Sequence, residues 1–270
     1  MIFYEKYMDI SQEVLKGFKE NKPVIGLDST VLKNFPYPEN LNKIYEMEEK
    51  IKGNDGVPAM MALLNGRLKI GVSKEELEIL AKMGTLPIAS KKDIPYLILK
   101  RESGVLSFDS TLVVGSLSGI KVFLTGYLIC DRNPIEKEKY IYKDLAEYVR
   151  KNVTIISCGV RSQNEMKIIV KNLETYDVPI IGYQIDNIPI YGENGKAHVN
   201  YKIETPSEII SFLTIKWELG ISGGVVIMND DIHYRYSNEG NDDWEEINLS
   251  SLMNNIKLAT SIGKEIYKIK

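Results

Sequence analysis

A short apolar run, Pro23-Val24-Ile25-Gly26-Leu27, stops abruptly at Asp28-Ser29-Thr30. A run apolar on both sides suits a strand buried inside a parallel or mixed sheet, and such sheets bind ligands beyond their carboxyl ends. The carboxylate and two hydroxyls of Asp28-Ser29-Thr30 therefore mark a small-molecule site. The same change from apolar to polar recurs along the chain. Leu124 gives way to Thr125-Gly126, and Ser157 leads through Gly159 to Arg161-Ser162. Tyr183 leads to Gln184 and Asp186, and Met228 to Asn229-Asp230-Asp231. One such junction means little, because strands generally meet polar loops; the recurrence predicts a pocket along one sheet edge. Arg161 adds a planar guanidinium suited to holding a phosphate or carboxylate through two parallel hydrogen bonds.

Other chemistry is harder to place. The chain has no GxGxxG after a strand and no Walker A loop. His198 and His233 lack metal-ligand spacing and read as surface or loop histidines, and no Cys-x-x-Cys pair offers a zinc site. Cys130 and Cys158 are the only cysteines, so two reduced thiols are expected rather than a disulfide framework. The acidic stretch 238–246 reads as a solvated loop.

The elements that must position these groups follow from periodicity and caps. Residues 11–20 have helical spacing with Ser11 as N-cap. An acidic-faced helix is expected over 40–52. Strand-like runs 57–64 and 67–72 flank Asn65-Gly66, the strongest short-range hairpin signal. Ser73 and Glu76 form a capping box that opens a helix. Further strands are expected at 121–124, 153–157, 178–183 and 224–228, with helices over 144–151, 163–175 and 207–219. The last begins Thr205-Pro206-Ser207-Glu208, with a cap, a proline at the first turn and a carboxylate at N3, and ends at Gly220. Strands alternating with helices predict an α/β fold, layered αβα around a central mixed, largely parallel sheet, with a small β-hairpin element.

Bulk properties agree. With 270 residues, 44 % apolar and 26 % charged, the chain reads as a single globular domain over 1–270. A net charge of −3 with no long basic run argues against a nucleic-acid partner. The N-terminus lacks a signal-type apolar region, and no apolar run reaches the roughly 18–20 residues of a membrane span, so a cytoplasmic protein is expected.

Longer stretches carry a more specific signal: Ile25-Gly26-Leu27-Asp28-Ser29-Thr30, Pro36-Tyr37-Pro38-Glu39-Asn40, and Gly56-Val57-Pro58-Ala59 leading to Asn65-Gly66. To these add Ser90-Lys91-Lys92-Asp93-Ile94-Pro95, Gly119-Ile120-Lys121-Val122-Phe123, Val178-Pro179-Ile180-Ile181-Gly182-Tyr183 and Lys216-Trp217-Glu218-Leu219-Gly220 running on to Gly224. Their order and spacing over residues 11–266 resemble the pseudouridine-5′-phosphate glycosidase family, also called indigoidine-synthase-A-like proteins. The resemblance implies cleavage of the C–C glycosidic bond of pseudouridine 5′-phosphate to uracil and ribose 5-phosphate, with manganese assisting. It further implies a covalent lysine adduct at C1′ of the opened sugar, an αβα-layered fold and a homotrimer.

Carried over residue by residue, the family's site is largely rewritten. Asp28 stands where the family's proton-donating glutamate would be, one methylene shorter. Arg161 stands at the nucleophilic lysine, and a guanidinium with a pKa above about 12 cannot lose the proton that attack requires. Ile88 takes the place of a substrate-contacting lysine, and Phe108 falls at a substrate-binding position. Tyr140 aligns with the metal-binding aspartate; a neutral phenol is a poor ligand for a hard divalent ion, so manganese is not expected to bind here. The substrate-binding Ser-Ala-Asp becomes Tyr142-Lys143-Asp144, and the glycine-rich loop becomes Thr125-Gly126 followed through Cys130 to Arg132. The catalytic asparagine falls at Asn248 and is kept.

Three functions are compatible with these substitutions. One is an active C-glycosidase with a rebuilt site, for which Lys91, Lys92, Lys139 and Lys143 are the amines at hand, although each reads as a solvated lysine. A second is a non-catalytic paralogue that binds a sugar or nucleotide phosphate, or an active family member. A third is an enzyme of altered reaction using Asp28, Asp144, Arg161 and Cys130. Losing nucleophile, metal ligand and substrate lysine together favours loss or alteration of the family activity.

Overall fold

The computed structural model describes residues 6–128, 151–191, 197–229 and 244–268. Cys130, Arg132, Lys139, Tyr140, Tyr142, Lys143, Asp144, Asp230, Asp231 and His233 lie outside the described residues, as do the expected helix 144–151 up to residue 150 and the acidic stretch up to 243.

In chain order the strands are β1 (Met8–Ile10), β2 (Val24–Leu27), β3 (Val57–Leu64), β4 (Arg67–Ile70), β5 (Ile88–Ala89), β6 (Gly104–Leu106), β7 (Val122–Leu124), β8 (Thr154–Ser157), β9 (Ile180–Tyr183), β10 (Tyr201–Ile203) and β11 (Val225–Asn229). The described helices are α1 (Gln12–Lys19), α2 (Val31–Asn34), α3 (Glu39–Gly53), α4 (Lys74–Lys82), α5 (Ile94–Lys100), α6 (Phe108–Ser118), α7 (Gln163–Thr175), α8 (Pro206–Glu218), α9 (Trp244–Asn254) and α10 (Ile256–Ile266). The strands form one 11-stranded sheet in the order β1-β4-β3-β2-β7-β8-β11-β9-β10, with β5 and β6 attached through β3. From β3 through β2 to β10 every neighbour is parallel. The antiparallel pairs are β3 with β4 and β3 with β6.

Local chemistry explains the elements that frame the site. The β2 and β3 runs are buried at every residue, as a parallel strand covered on both faces must be. Ser11 caps α1 by accepting from the Val14 amide at 3.3 Å. Ser73 with Glu76 and Thr205 with Glu208 form full capping boxes on α4 and α8. At the hairpin, Asn65 and Gly66 both take positive φ, 51° and 74°, as its twist requires. The hairpin is nevertheless no appendage: its first strand, β3, is the parallel neighbour of β2 and joins the two parts of the sheet.

Side-chain alternation sorts the core into two layers. Val14 of α1, Leu97 of α5, Leu112 and Val114 of α6, and Ile169 of α7 pack with Val24 and Phe123 on one face. Ile44 and Met47 of α3, Leu77 of α4, Ile209 and Leu213 of α8, and residues of α9 and α10 pack with Ile25 and Leu27 on the other. This is the expected αβα layering. The chain leaves β2 toward β3 on one side and later returns to place β7 on the other, so β2 and β7 flank a topological switch, where open α/β sheets form ligand crevices.

Candidate functional site

Asp28 stands at the carboxyl end of β2, and the β2–β7 register carries Thr125 to its side. Its Oδ1 accepts from the Thr30 amide at 2.9 Å and also from the Thr30 hydroxyl, so the Asp28-Ser29-Thr30 cluster is a closed turn that fixes the carboxyl. Desolvation by burial is the largest influence on this carboxyl and raises its pKa above the ordinary carboxylate value, against the lowering effect of the Thr30 hydrogen bonds. Ser29 is fully buried, and its Oγ accepts from the Leu106 amide at 3.0 Å, tying the end of β2 to the end of β6.

The next two strands supply a second cluster. The Thr125 amide donates to Ile156 O at 3.0 Å, Ser157 Oγ donates to Gly126 O at 2.9 Å, and the Cys158 amide donates to the same carbonyl at 2.6 Å. Gly126 permits a close approach that no side chain would: a Cβ there would sit 2.1 Å from Asn248 O and 2.3 Å from Asn248 Oδ1. That Oδ1 accepts from the Tyr127 amide at 2.9 Å. Asn248, on α9, is thus held against the Thr125-Gly126 turn, far from it in sequence. Behind it, Cys158 is 2 % exposed; its Sγ donates to Ser251 O and accepts from Asn255 Nδ2, both at 3.0 Å, and Asn255 Oδ1 accepts from Asn229 Nδ2 at 2.7 Å. The ends of β7, β8 and β11 are therefore stitched to α9 and α10.

Arg161 follows Val160, which bridges Leu128 on one side and Ile190 on the other, so the guanidinium's residue sits on a second tier above the sheet edge. The Arg161 amide donates to Glu165 Oε2 at 3.2 Å, and the Ser162 hydroxyl accepts from the Glu165 amide at 3.3 Å to cap α7. Phe108 opens α6, directly after β6 and Ser107. Ile88 behaves differently. It lies on β5, 48 % exposed, while its neighbour Ala89 is buried on the opposite side of the strand. Asp28, Thr125, Gly126, Arg161 and Asn248 thus share the carboxyl edge of the sheet, with Phe108 at its β6 side; Ile88 turns away from the buried face.

Two further polar clusters flank this edge: Ser90 and Asp93 belong to a stretch that carries the family resemblance, whereas Ser107 and Asp109 carried no recognisable signal in the sequence. Ser107 Oγ donates to Asp109 Oδ1 and lies 3.1 Å from Ala89 O, and Ser90 Oγ donates to Asp93 Oδ2 at 2.6 Å. Only the pairing of β5 with β6 brings Ser90 near Ser107. Cys158 is in no disulfide, as expected, and is buried both in the polar network and in a small apolar cluster with Tyr127 and Ile247. Glu246 departs from the expected solvated loop: it lies on α9 and ion-pairs with Lys43 of α3. Among the described residues no group of three or more His, Cys, Asp or Glu could hold a metal ion, and no helix is long and apolar enough to cross a membrane.

The strand ends beside a topological switch thus gather a buried carboxyl and a glycine–asparagine contact. The model of the indigoidine synthase A-like protein family matches residues 13–242. The chain belongs to that family. Among its relatives, the pseudouridine-5′-phosphate glycosidase of Petrotoga mobilis is 35 % identical over 264 residues, covering 96 % of this chain and 85 % of the relative. That of Escherichia coli K12 is 34 % identical over 225 residues, covering 82 % and 72 %. Among solved structures, the prealnumycin C-glycosynthase AlnA, in complex with ribulose 5-phosphate, superposes with a TM-score of 0.84 at 19 % identity, covering 98 % of both chains. An indigoidine synthase A-like protein of Thermotoga maritima gives 0.78 at 18 % identity, covering 97 % of both. At these identities the two structures establish the family fold alone.

Proposed function

We propose that this chain is a single-domain member of the family, over residues 1–270, whose edge pocket takes a sugar or nucleotide phosphate without running the family's covalent C-glycosidase route. The observation that carries this reading is Arg161. It occupies the strand-end position that the resemblance assigns to the nucleophilic lysine, and a guanidinium stays protonated in a protein. It cannot form a Schiff base with an opened sugar, but it can hold a phosphate bidentately. Asp28 retains a proton donor's chemistry, and its raised pKa favours the protonated form that a general acid needs. Its reach is shorter than a glutamate's by roughly 1.5 Å, which matters when a donor must come within about 2.6–3.2 Å of its target.

The names of the curated relatives make pseudouridine 5′-phosphate the first ligand to test, and the sugar phosphate bound by the solved C-glycosynthase belongs to the same class. The second reading, a non-catalytic paralogue that binds this ligand or an active family member, is favoured by the joint replacements at Ile88, Tyr140 and Arg161. In the family manganese assists the reaction; the position that would hold it, Tyr140, offers no carboxylate. A homotrimer is the assembly expected of a family member.

Borohydride trapping tests the loss of the covalent route. Treated with ribose 5-phosphate and sodium borohydride, this chain should keep its intact mass, while the Petrotoga mobilis relative, run beside it, should gain a reduced sugar-phosphate adduct. A stoichiometric adduct on this chain would show that another lysine has taken over, and would end the proposal.

A further inference from the structure

Two exposed apolar surfaces stand on opposite faces of the sheet. The first is hollow. Where α7 and α8 end and β9 and β10 begin, a cavity of about 460 Å³ opens, walled by Tyr201, Phe212, Ile215, Leu219 and Ile221. The Tyr201 and Phe212 rings lie 5.5 Å apart. Lys216 Nζ donates to Ile221 O at 2.9 Å and to Ser222 O at 2.6 Å, so the segment after α8 is fixed and the rim exists before anything binds. Leu219 is 69 % exposed and Tyr201 52 %. A small-molecule pocket hides most of its walls, whereas these side chains turn outward and call for a broader partner. Glu174 and Asp177 share the rim and meet no cation among the described residues. The carbonyl ends of α7 and α8 add to their negative charge.

The second surface protrudes. On α5, Tyr96 and Leu99 are three residues apart on one helix face, 58 % and 76 % exposed, while Leu97 anchors the helix in the core. Lys100 Nζ stands over the Tyr96 ring at 5.8 Å, and Arg101 follows it at the exposed end of the helix. Neither cation meets a carboxylate among the described residues. Helix α5 belongs to the layer of Val24 and Phe123, and α8 to the layer of Ile25 and Leu27. The strand before α5 is attached through β6 to β3, which lies five strand spacings from β9, about 24 Å. Within one chain the two surfaces cannot meet.

We propose that they meet between copies of this chain: Tyr96 and Leu99 of one molecule seat in the α7–α8 cavity of the next, with Lys100 and Arg101 against Glu174 and Asp177. A second copy is favoured over any other partner because one chain carries both halves of a double match, protruding apolar groups with an apolar hollow and unpaired cations with unpaired carboxylates. Contact between two different surfaces is head to tail, and closes into a ring or runs on as a filament. The homotrimer proposed above is one such ring; the pairing of surfaces stands or falls independently of the edge pocket.

Sedimentation velocity and native mass spectrometry of the full chain test this. Leu99→Asp and Leu219→Asp alter exposed side chains, so each should leave the far-UV circular dichroism unchanged while raising the dissociation constant of the assembly at least about thirtyfold. Mixing the two variants is decisive. The Leu99→Asp chain keeps its cavity and the Leu219→Asp chain keeps its α5, so one contact survives. The mixture should give dimers of one copy of each and nothing larger. If either variant misfolds, charge reversal carries the test: Glu174→Lys with Asp177→Lys should loosen the assembly, and adding Lys100→Glu with Arg101→Glu should restore it. A monomeric unaltered chain, an assembly that survives either leucine variant, a mixture without mixed dimers, or a charge reversal without restoration overturns the inference. A ring of another size that both leucine variants break supports it and overturns the homotrimer alone.

Discussion

At the scale of single residues, the strand ends set polar groups against burial. Asp28 shows the tension most directly. Its folded pKa lies above its unfolded one, so its contribution to stability is full when it is protonated and is lost as pH rises through the folded pKa. Asp28→Asn should therefore raise the melting temperature at neutral pH, with a gain that shrinks to nothing as pH falls below the ordinary carboxylate range; a gain that is flat with pH would show that burial is not the cause. Gly126 makes a different case. Because its missing Cβ would fall 2.1 Å from Asn248 O, Gly126→Ala must push α9 away from the turn. Overpacking of this kind costs about 1–3 kcal/mol, and chemical denaturation should report that loss together with weaker sugar-phosphate binding. A neutral outcome would mean that Asn248 is not fixed by this contact.

At the scale of elements, what was legible in the sequence depended on whether the signal was local. The α7 span of 163–175 and the Asn-Gly hairpin carry their own periodicity, caps and turn residues, and the structure keeps them. The short strands β1, β5, β6 and β10 carry none, because two or three residues cannot show an alternation. Helix α6 was hidden for another reason: with Leu112 and Val114 buried beside Ser110 and Thr111, it has no polar face to reveal its period. The site divides in the same way. Asp28, Thr125 and Gly126 were visible as strand ends, and Asn248 through family resemblance. Edge strand β1 offers a test at this scale. Asp9 on β1 accepts from Arg67 Nε on β4 at 2.8 Å and also pairs with Lys69, and the Arg67 hydrogen bond is the main influence lowering its pKa from 3.8 to about 2. A depressed carboxylate pKa stabilises above the unfolded value and loses that stabilisation as pH falls through the folded one. Discounted for its exposure, Asp9→Asn should cost about 1 kcal/mol at pH 7, measured by urea denaturation, and progressively less as pH falls through about 2. A cost that persists in acid would assign the effect to packing.

At the scale of the whole molecule, the sheet order explains why the strand ends hold their places whatever residues follow them. Moving β2 or β7 would disturb both core layers, since both strands are buried on each face. Residues such as Arg161, beyond the strand ends, can change without that cost. The most direct measurement is release of free uracil from pseudouridine 5′-phosphate in the presence of manganese, with the Petrotoga mobilis relative assayed in parallel. Covalent and metal assistance each lower a barrier by several kcal/mol, so this chain should run at least about a hundredfold slower than the relative. Turnover within about tenfold of the relative would contradict the account, because it would require a working nucleophile that Arg161 cannot be.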